Sequence, residues 1–248
     1  MSDRIVLEIC IDSVESAIAA QQGGADRVEL CDNLIEGGTT PSAGTIELAR
    51  RYIDIDLNVI IRPRGSDFCY SDIEFEVMQR DIEMAKALGA SGVVIGMLKE
   101  DGSIDIERTG MLVELARPLS VTFHRAFDMS RDPYEALEDL IKLGVDRVLT
   151  SGQENSVLEG LALITDLVQQ ANDRLIVMPG GGINERNIKK IVAQSGVKEI
   201  HVLGTISLAS PMRYRNLNAF MGGELRPPEF TRMITAADRV RNFVEAVR

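Results

Sequence analysis

Two cysteines occupy equivalent places in the sequence, and each follows a glutamate by two residues. Cys10 ends the segment Leu7-Glu8-Ile9-Cys10, and Cys31 ends the segment Val28-Glu29-Leu30-Cys31. If both segments are strands, each glutamate shares a strand face with its cysteine, because strand side chains alternate with a period of two. Thiolates are soft ligands, and a pair without a third cysteine or histidine favours Cu(I) over Zn(II), which prefers four ligands. The spacing indicates a Cu(I) site at Cys10 and Cys31, and the alternative is that both are buried apolar thiols.

Further polar residues follow other short apolar runs. They are Arg62, Arg64, His124, Arg125, Asp128 and Ser151. Glu8, Glu29, His124 and Asp128 are candidates for proton transfer. An isolated buried charge is costly, so we expect Arg62 to pair with Glu8 or Glu29. The alternative is a purely structural network of buried salt bridges. His201, inside Ile200-His201-Val202, is expected to be structural.

A glycine-rich turn, Pro179-Gly180-Gly181-Gly182, adds a possible anion site. Glycines let backbone N–H groups approach an anion closely, although a tight turn also requires them. Gly181 and Gly182, with Arg62, Arg64, Arg125 and Ser151, therefore favour an anionic and possibly phosphorylated small molecule as ligand. With two histidines and six lysines, the sequence disfavours a polyhistidine metal hydrolase and a Schiff-base aldolase.

A recurring pattern supplies the elements that must position these residues. A helical stretch, a glycine and a β-branched run recur at Gly24-Ala25-Asp26-Arg27-Val28, Gly89 to Val93, Gly144-Val145-Asp146-Arg147-Val148 and Gly196 to Ile200. Glycine is typical of the left-handed residue that ends a helix. Strands are predicted to begin near residues 5, 27, 57, 92, 119, 147, 175 and 199. Eight alternating units without a G-x-G-x-x-G turn favour a closed (β/α)8 TIM barrel over an open doubly wound sheet.

Several helix boundaries are also predicted. Asp12 and Asp132 are expected to cap helices, with a glutamate three residues on in each case. Other helices are predicted over Ile73 to Leu88, Ile106 to Ala116, Val157 to Gln170 and Ile188 to Ala193, with a last one from about Arg232 to Val247. One domain is expected over residues 1–248, interrupted by an irregular excursion at about 207–231. That excursion is interpreted as an ordered surface loop, with a lid or a dimer contact as alternatives.

Composition restricts the classes of partner. Apolar residues make up 45% of the 248, without any tryptophan, so an aliphatic core is expected. The formal net charge of −11 argues against nucleic-acid binding and against a polybasic membrane contact. The first residues lack the apolar region of a signal peptide, so a cytoplasmic location with free thiols is expected.

These motifs together resemble the CutC family, which is named for copper homeostasis. The resemblance rests on segments spread over nearly the whole chain: 7–13, 23–31, 36–42, 61–65, 121–128, 149–152 and 178–183. It implies a cytoplasmic TIM barrel, usually a homodimer, that is linked to copper handling through Cu(I) at Cys10 and Cys31. The arginines and His124 repel cations, and they keep open the alternative of an enzyme for an anionic small molecule.

Overall fold

Eight parallel strands form a barrel in the computed structural model, which describes residues 4–222 and 228–248. The strands are β1 (Val6–Ile11), β2 (Arg27–Leu30), β3 (Asp56–Ile60), β4 (Gly92–Ile95), β5 (Ser120–Phe123), β6 (Arg147–Thr150), β7 (Ile176–Pro179) and β8 (Glu199–Leu203). Strands β1 to β7 pair in the order of the sequence, and β8 pairs with β1. A parallel bridge between Gly180 and His201 joins the remaining edges. The predicted TIM barrel is confirmed, and all eight predicted starts lie within one residue of the observed ones.

The strand residues divide into an apolar face and a polar face. Leu7, Ile9 and Ile11 of β1 belong to the main apolar core. The intervening Glu8 and Cys10 contact residues of other strands inside the barrel. Because the interior of this barrel is lined by charged and thiol side chains, the chemistry is concentrated on that polar face.

The repeated sequence Asp-Arg-Val has the same structural role in both halves of the barrel. Asp26 accepts a hydrogen bond from the backbone N–H of Leu7 at 3.0 Å, and Asp146 accepts one from that of Val121 at 2.7 Å. Each aspartate therefore fastens the start of its own strand to the preceding one. The arginine that follows, Arg27 or Arg147, is buried inside the barrel.

Eight α-helices in the described ranges surround the strands. They are α1 (Val14–Gly23), α2 (Ala43–Tyr52), α3 (Asp72–Ala87), α4 (Ile106–Ala116), α5 (Pro133–Lys142), α6 (Leu161–Ala171), α7 (Ile188–Ser195) and α8 (Ala237–Val247). None of the helices described is long and apolar enough to cross a membrane.

Three helix predictions need correction at their starts. Ser13 caps α1 instead of Asp12, because its hydroxyl accepts from the N–H of Ser16, whereas Asp132 caps α5 as predicted. Helix α6 begins four residues after Val157, whose N–H instead bonds to the carbonyl of Gly181 at 3.0 Å.

The third correction concerns the excursion before α8. Its flanks form an antiparallel pair of strands, β9 (Thr205–Ala209) and β10 (Thr231–Thr235), so this part is regular structure. Arg232 lies in β10, and α8 therefore starts later than predicted. Residues 223–227 of the predicted excursion, and residues 1–3 at the start, lie outside the described ranges.

Candidate metal centre and adjoining cavity

The two cysteines meet inside the barrel at the carboxyl ends of β1 and β2. Cys10 is level with Glu29 in the strand register, and the N–H of Cys31 bonds to the carbonyl of Ile11. The two Sγ atoms are 3.9 Å apart, and both side chains are buried. Cys10, Cys31 and Glu29 each offer a ligand atom within 4.8 Å of the others. The thiol pair that the spacing indicated is therefore assembled, together with a carboxylate.

His201 joins this cluster from β8, although the sequence suggested a structural role for it. Its Nδ1 lies 2.7 Å from Oε1 of Glu8, and its Nε2 lies 3.7 Å from Oε2 of Glu29. A carboxylate that is hydrogen-bonded to one ring nitrogen fixes the orientation of the imidazole and therefore of its second nitrogen. Metal-ligating histidines are held in this way. The alternation of polar and apolar residues in Glu199-Ile200-His201-Val202 was the signal that places His201 in the interior.

Burial and neighbouring charges shift the pKa values of this cluster in different directions. The hydrogen bond with Cys31 and the nearby His201 outweigh burial and lower the pKa of Cys10 to about 6. The hydrogen bond to Cys10 and burial raise the pKa of Cys31. Burial opposes the charge on His201, but its bonds to Cys10 and Glu8 raise the pKa of the imidazole. Burial raises the pKa of Glu29 to about 8. At neutral pH the cluster therefore holds one thiolate, one thiol and an imidazolium.

A network of buried ion pairs supports the cluster from below. Arg27 donates to both Glu8 and Glu199, and Arg147 donates to Glu199 at 3.0 Å. Burial disfavours the charge on Glu8, but Arg27 and His201 outweigh it and hold the pKa of this carboxyl well below its usual range. The structural network considered from the sequence thus exists, and its arginines were not among the residues first considered. Their shared Asp-Arg-Val motif was the available signal.

The predicted partner of Arg62 is wrong. Its Nη1 donates to the carbonyls of Glu36 and Gly38, each at 2.8 Å, and its Nη2 donates to that of Ser66 at 3.0 Å. Glu8 is already paired with Arg27, and the loop after β2 supplies carbonyl oxygens where a carboxylate was expected. Arg62 consequently binds the loop, not the acids of β1 and β2.

A cavity of about 290 Å³ opens above the thiol pair. Cys10, Glu29 and His201 form part of its wall, as do Arg62, His124, Arg125 and Asp128. Cys31 does not line the cavity and lies against Ile60 and Val94. An incoming ligand would therefore reach Cys10 first.

Of the other predicted site residues, Arg64 lies outside the cavity, whereas Arg125 and Asp128 line it. Arg64 is engaged outside the cavity, where it bonds to Glu74 at 2.6 Å and to Asp67 at 3.1 Å. Asp128 accepts from Arg125 at 2.7 Å and from the Ser151 hydroxyl at 3.0 Å, so its oxygens are largely occupied.

The glycine turn has the backbone freedom that the sequence suggested. Gly181 and Gly182 have φ values of 125° and 71°. A side chain at Gly181 would contact Ser151 and the Arg125 guanidinium, which cover the turn. Cys69 is partly exposed and bonds Asp67 through its backbone N–H, away from the thiol pair. Anion binding at the turn and catalysis by Glu8, Glu29, His124 or Asp128 stay predictions.

The fold and site define a (β/α)8 barrel protein with a thiol, carboxylate and imidazole cluster at the mouth of the barrel. Residues 5–206 match the sequence model of the CutC family. The copper homeostasis protein cutC homolog of Mus musculus is 52% identical over 96% of this chain and 88% of its own length. A family protein CutC of Chromobacterium violaceum is 51% identical over 98% of both chains. The chain belongs to the CutC family.

A solved structure agrees with this assignment. The crystal structure of CutC from Streptococcus agalactiae superimposes with a TM-score of 0.77 at 36% identity. The match covers 80% of this chain and 98% of that chain. The TIM-barrel fold is therefore shared within the family.

Proposed function

We propose that this protein serves copper homeostasis by holding one Cu(I) ion between Cys10 and Cys31. The observation that carries the proposal is the 3.9 Å separation of two buried sulfur atoms beside an open cavity. Relatives of similar length are named copper homeostasis proteins, which supports copper as the cargo. A cytoplasmic location and a homodimeric state, both implied by the family resemblance, belong to the same proposal. Light scattering on the purified protein tests the dimer.

The sulfur geometry favours an ion with more than two ligands. Two metal–sulfur bonds of ~2.3 Å that span 3.9 Å enclose an angle of about 116° at the metal. That angle is far from linear and leaves room for Glu29, whose carboxylate lies within 4.8 Å of both sulfur atoms. Zn(II) is the strongest competitor of Cu(I), but it prefers four ligands, and His201 would have to lose a proton before it could bind a metal.

Protonation makes the expected affinity dependent on pH. Cys10 is already a thiolate at pH 7, because its pKa is about 6. Cys31 must release its proton when the ion binds, since its pKa is raised by Cys10 and by burial. Metal binding should therefore release protons and strengthen as the pH rises.

Anaerobic titration of Cu(I) against a chromogenic chelator tests this site. We expect about one equivalent to be retained by the wild type and lost from the double variant Cys10→Ser with Cys31→Ser. Cys69→Ser is the matched control and should bind like the wild type. Equal Cu(I) retention by the double variant would remove the thiol site from consideration. If Zn(II) displaces Cu(I) at equal concentration, the thiol site stands but its cargo is not copper.

A further inference from the structure

Two buried hydrogen-bond donors in the wall of the cavity have no acceptor among the described residues. They are Nε of Arg62 and Nε2 of His124. The two residues are only 5% and 4% exposed, and both line the cavity beside the thiol pair. A buried donor without an acceptor costs ~1–3 kcal/mol, so most are satisfied in folded proteins. Two in one cavity wall mark a place where an acceptor from outside the chain, a ligand oxygen or a water, would be stabilised.

Arg62 is a buried cation without a carboxylate partner within salt-bridge distance in the described chain. Its Nη atoms are held by three backbone carbonyls, which are neutral. The Tyr70 hydroxyl supplies no counter-charge, because burial raises its pKa to about 12 and keeps it protonated. The guanidinium also lies over the ring of Phe68, 5.1 Å from its centroid. Arg62 is thus fixed in place by neutral groups, with its Nε outside hydrogen-bond geometry and no carboxylate paired with its charge in the described chain.

His124 is held as a neutral donor. Its Nδ1 accepts a hydrogen bond from the N–H of Ala126 at 3.1 Å, which places the ring proton on Nε2. Burial, together with the charge of Arg62, lowers the pKa of His124 to about 3. The imidazole therefore offers an N–H group without competing for a cation.

The number of donors and charges restricts the class of ligand. An arginine without a carboxylate partner and two donors match a ligand with two acceptor oxygens and a single negative charge, which is a carboxylate. A phosphate dianion fits less well, because Asp128 and Glu36 also line the cavity and Arg125 is already paired with Asp128. The volume of about 290 Å³ is at the lower end for ligand pockets, and Phe68, Met129 and Leu149 provide apolar contact.

We propose that Arg62 and His124 form a binding site for a small organic monocarboxylate in the cavity above the thiol pair. The site uses other residues than the proposed metal ligands, although they line the same cavity, so carboxylate binding does not require copper. Its donors differ from those of the anion site predicted at the glycine turn. A carboxylate bound there lies in the same cavity as Cys10.

Thermal shift assays with metal-free protein test the site. The probes are acetate, propionate, pyruvate, lactate and benzoate, with inorganic phosphate for comparison. At a hundred times its dissociation constant, a carboxylate should raise the melting temperature by at least ~3 °C. The proposal fails if none of the five moves the wild-type midpoint by more than about 1 °C, or if only phosphate does.

Variants assign the binding to the two donors. His124→Asn keeps an acceptor for the N–H of Ala126 but loses the Nε2 donor, and it should weaken the best probe about tenfold. Arg62→Lys should weaken it further, and His124→Asn keeps the test valid if the loop around Arg62 does not fold. Arg80→Met is the matched control, because Arg80 is exposed, paired with Glu83 and outside this cavity. Unchanged affinity in His124→Asn would overturn the assignment.

A last comparison separates this site from the metal site. The double variant Cys10→Ser with Cys31→Ser should still bind the carboxylate, and at least as tightly as the wild type, because the thiolate of Cys10 is a negative charge in the same cavity. If it does not, the carboxylate site as drawn is wrong, whatever the result of the Cu(I) titration.

Discussion

Replacing His124 with asparagine should reduce the loss of stability that is expected as the pH falls from 7 to 5. The imidazole is buried and its pKa is lowered from 6.5 to about 3. In the unfolded chain the same group takes up a proton near pH 6.5, whereas the folded protein excludes it until about pH 3. Because the unfolded state binds more protons in that interval, the free energy of unfolding falls as the pH falls.

The magnitude follows from the two pKa values. Between pH 7 and pH 5 a group with pKa values of 6.5 unfolded and about 3 folded removes ~2 kcal/mol of stability. His124→Asn abolishes this contribution. Its side-chain oxygen can still accept from the N–H of Ala126, as Nδ1 does at 3.1 Å, so the short helix after His124 keeps its cap.

Urea unfolding at pH 7, 6 and 5 measures the effect. The difference in unfolding free energy between wild type and His124→Asn should shrink by ~2 kcal/mol from pH 7 to pH 5. The other histidine provides a contrast, because the pKa of His201 is raised. Its contribution to stability is complete below pH 6.5 and is lost as the pH rises, so His201→Asn should change the slope in the opposite direction. Parallel curves for wild type and His124→Asn would refute a buried neutral imidazole.

Three further predictions concern the barrel interior. Arg27→Met leaves the buried carboxylates of Glu8 and Glu199 poorly paired and should lower the unfolding free energy by ~3–5 kcal/mol. Arg4→Ala removes an exposed ion pair and should cost below ~1 kcal/mol. Similar losses in the two variants would contradict the argument from burial. Gly96→Ala places a Cβ against the buried imidazole of His124 and should lower the unfolding free energy, measured in urea, by ~1–3 kcal/mol. The control Gly44→Ala has its nearest atom at 4.0 Å and should be neutral or stabilising. Alkylation of Cys10, followed by peptide mass spectrometry, should show a midpoint near pH 6, and a midpoint above pH 8 would show that the thiolate is not stabilised.

Much of the fold was predictable because its signals are local. The glycine that ends a helix, with the apolar run after it, marks four strands, and short apolar runs between them mark the other four. The boundaries that were wrong depend on contacts outside the local sequence. Helix α8 starts late because Arg232 pairs with Leu208 of β9. Helix α6 starts late because Val157 bonds across to Gly181.

The sequence by itself determined that Cys10 and Cys31 lie on the same face of neighbouring strands, because strand side chains alternate with a period of two; the register, in which Cys10 is level with Glu29, came from the structure. It also determined that the glutamates share the polar face. Only the tertiary structure decided the ligands and charges around them. Closure of the barrel brings His201 to Glu8, 193 residues earlier in the chain, and no local pattern encodes such a pairing. Burial then decides which groups are charged, because a proton's free energy depends on the surrounding dipoles and charges, and these come from every strand of the barrel.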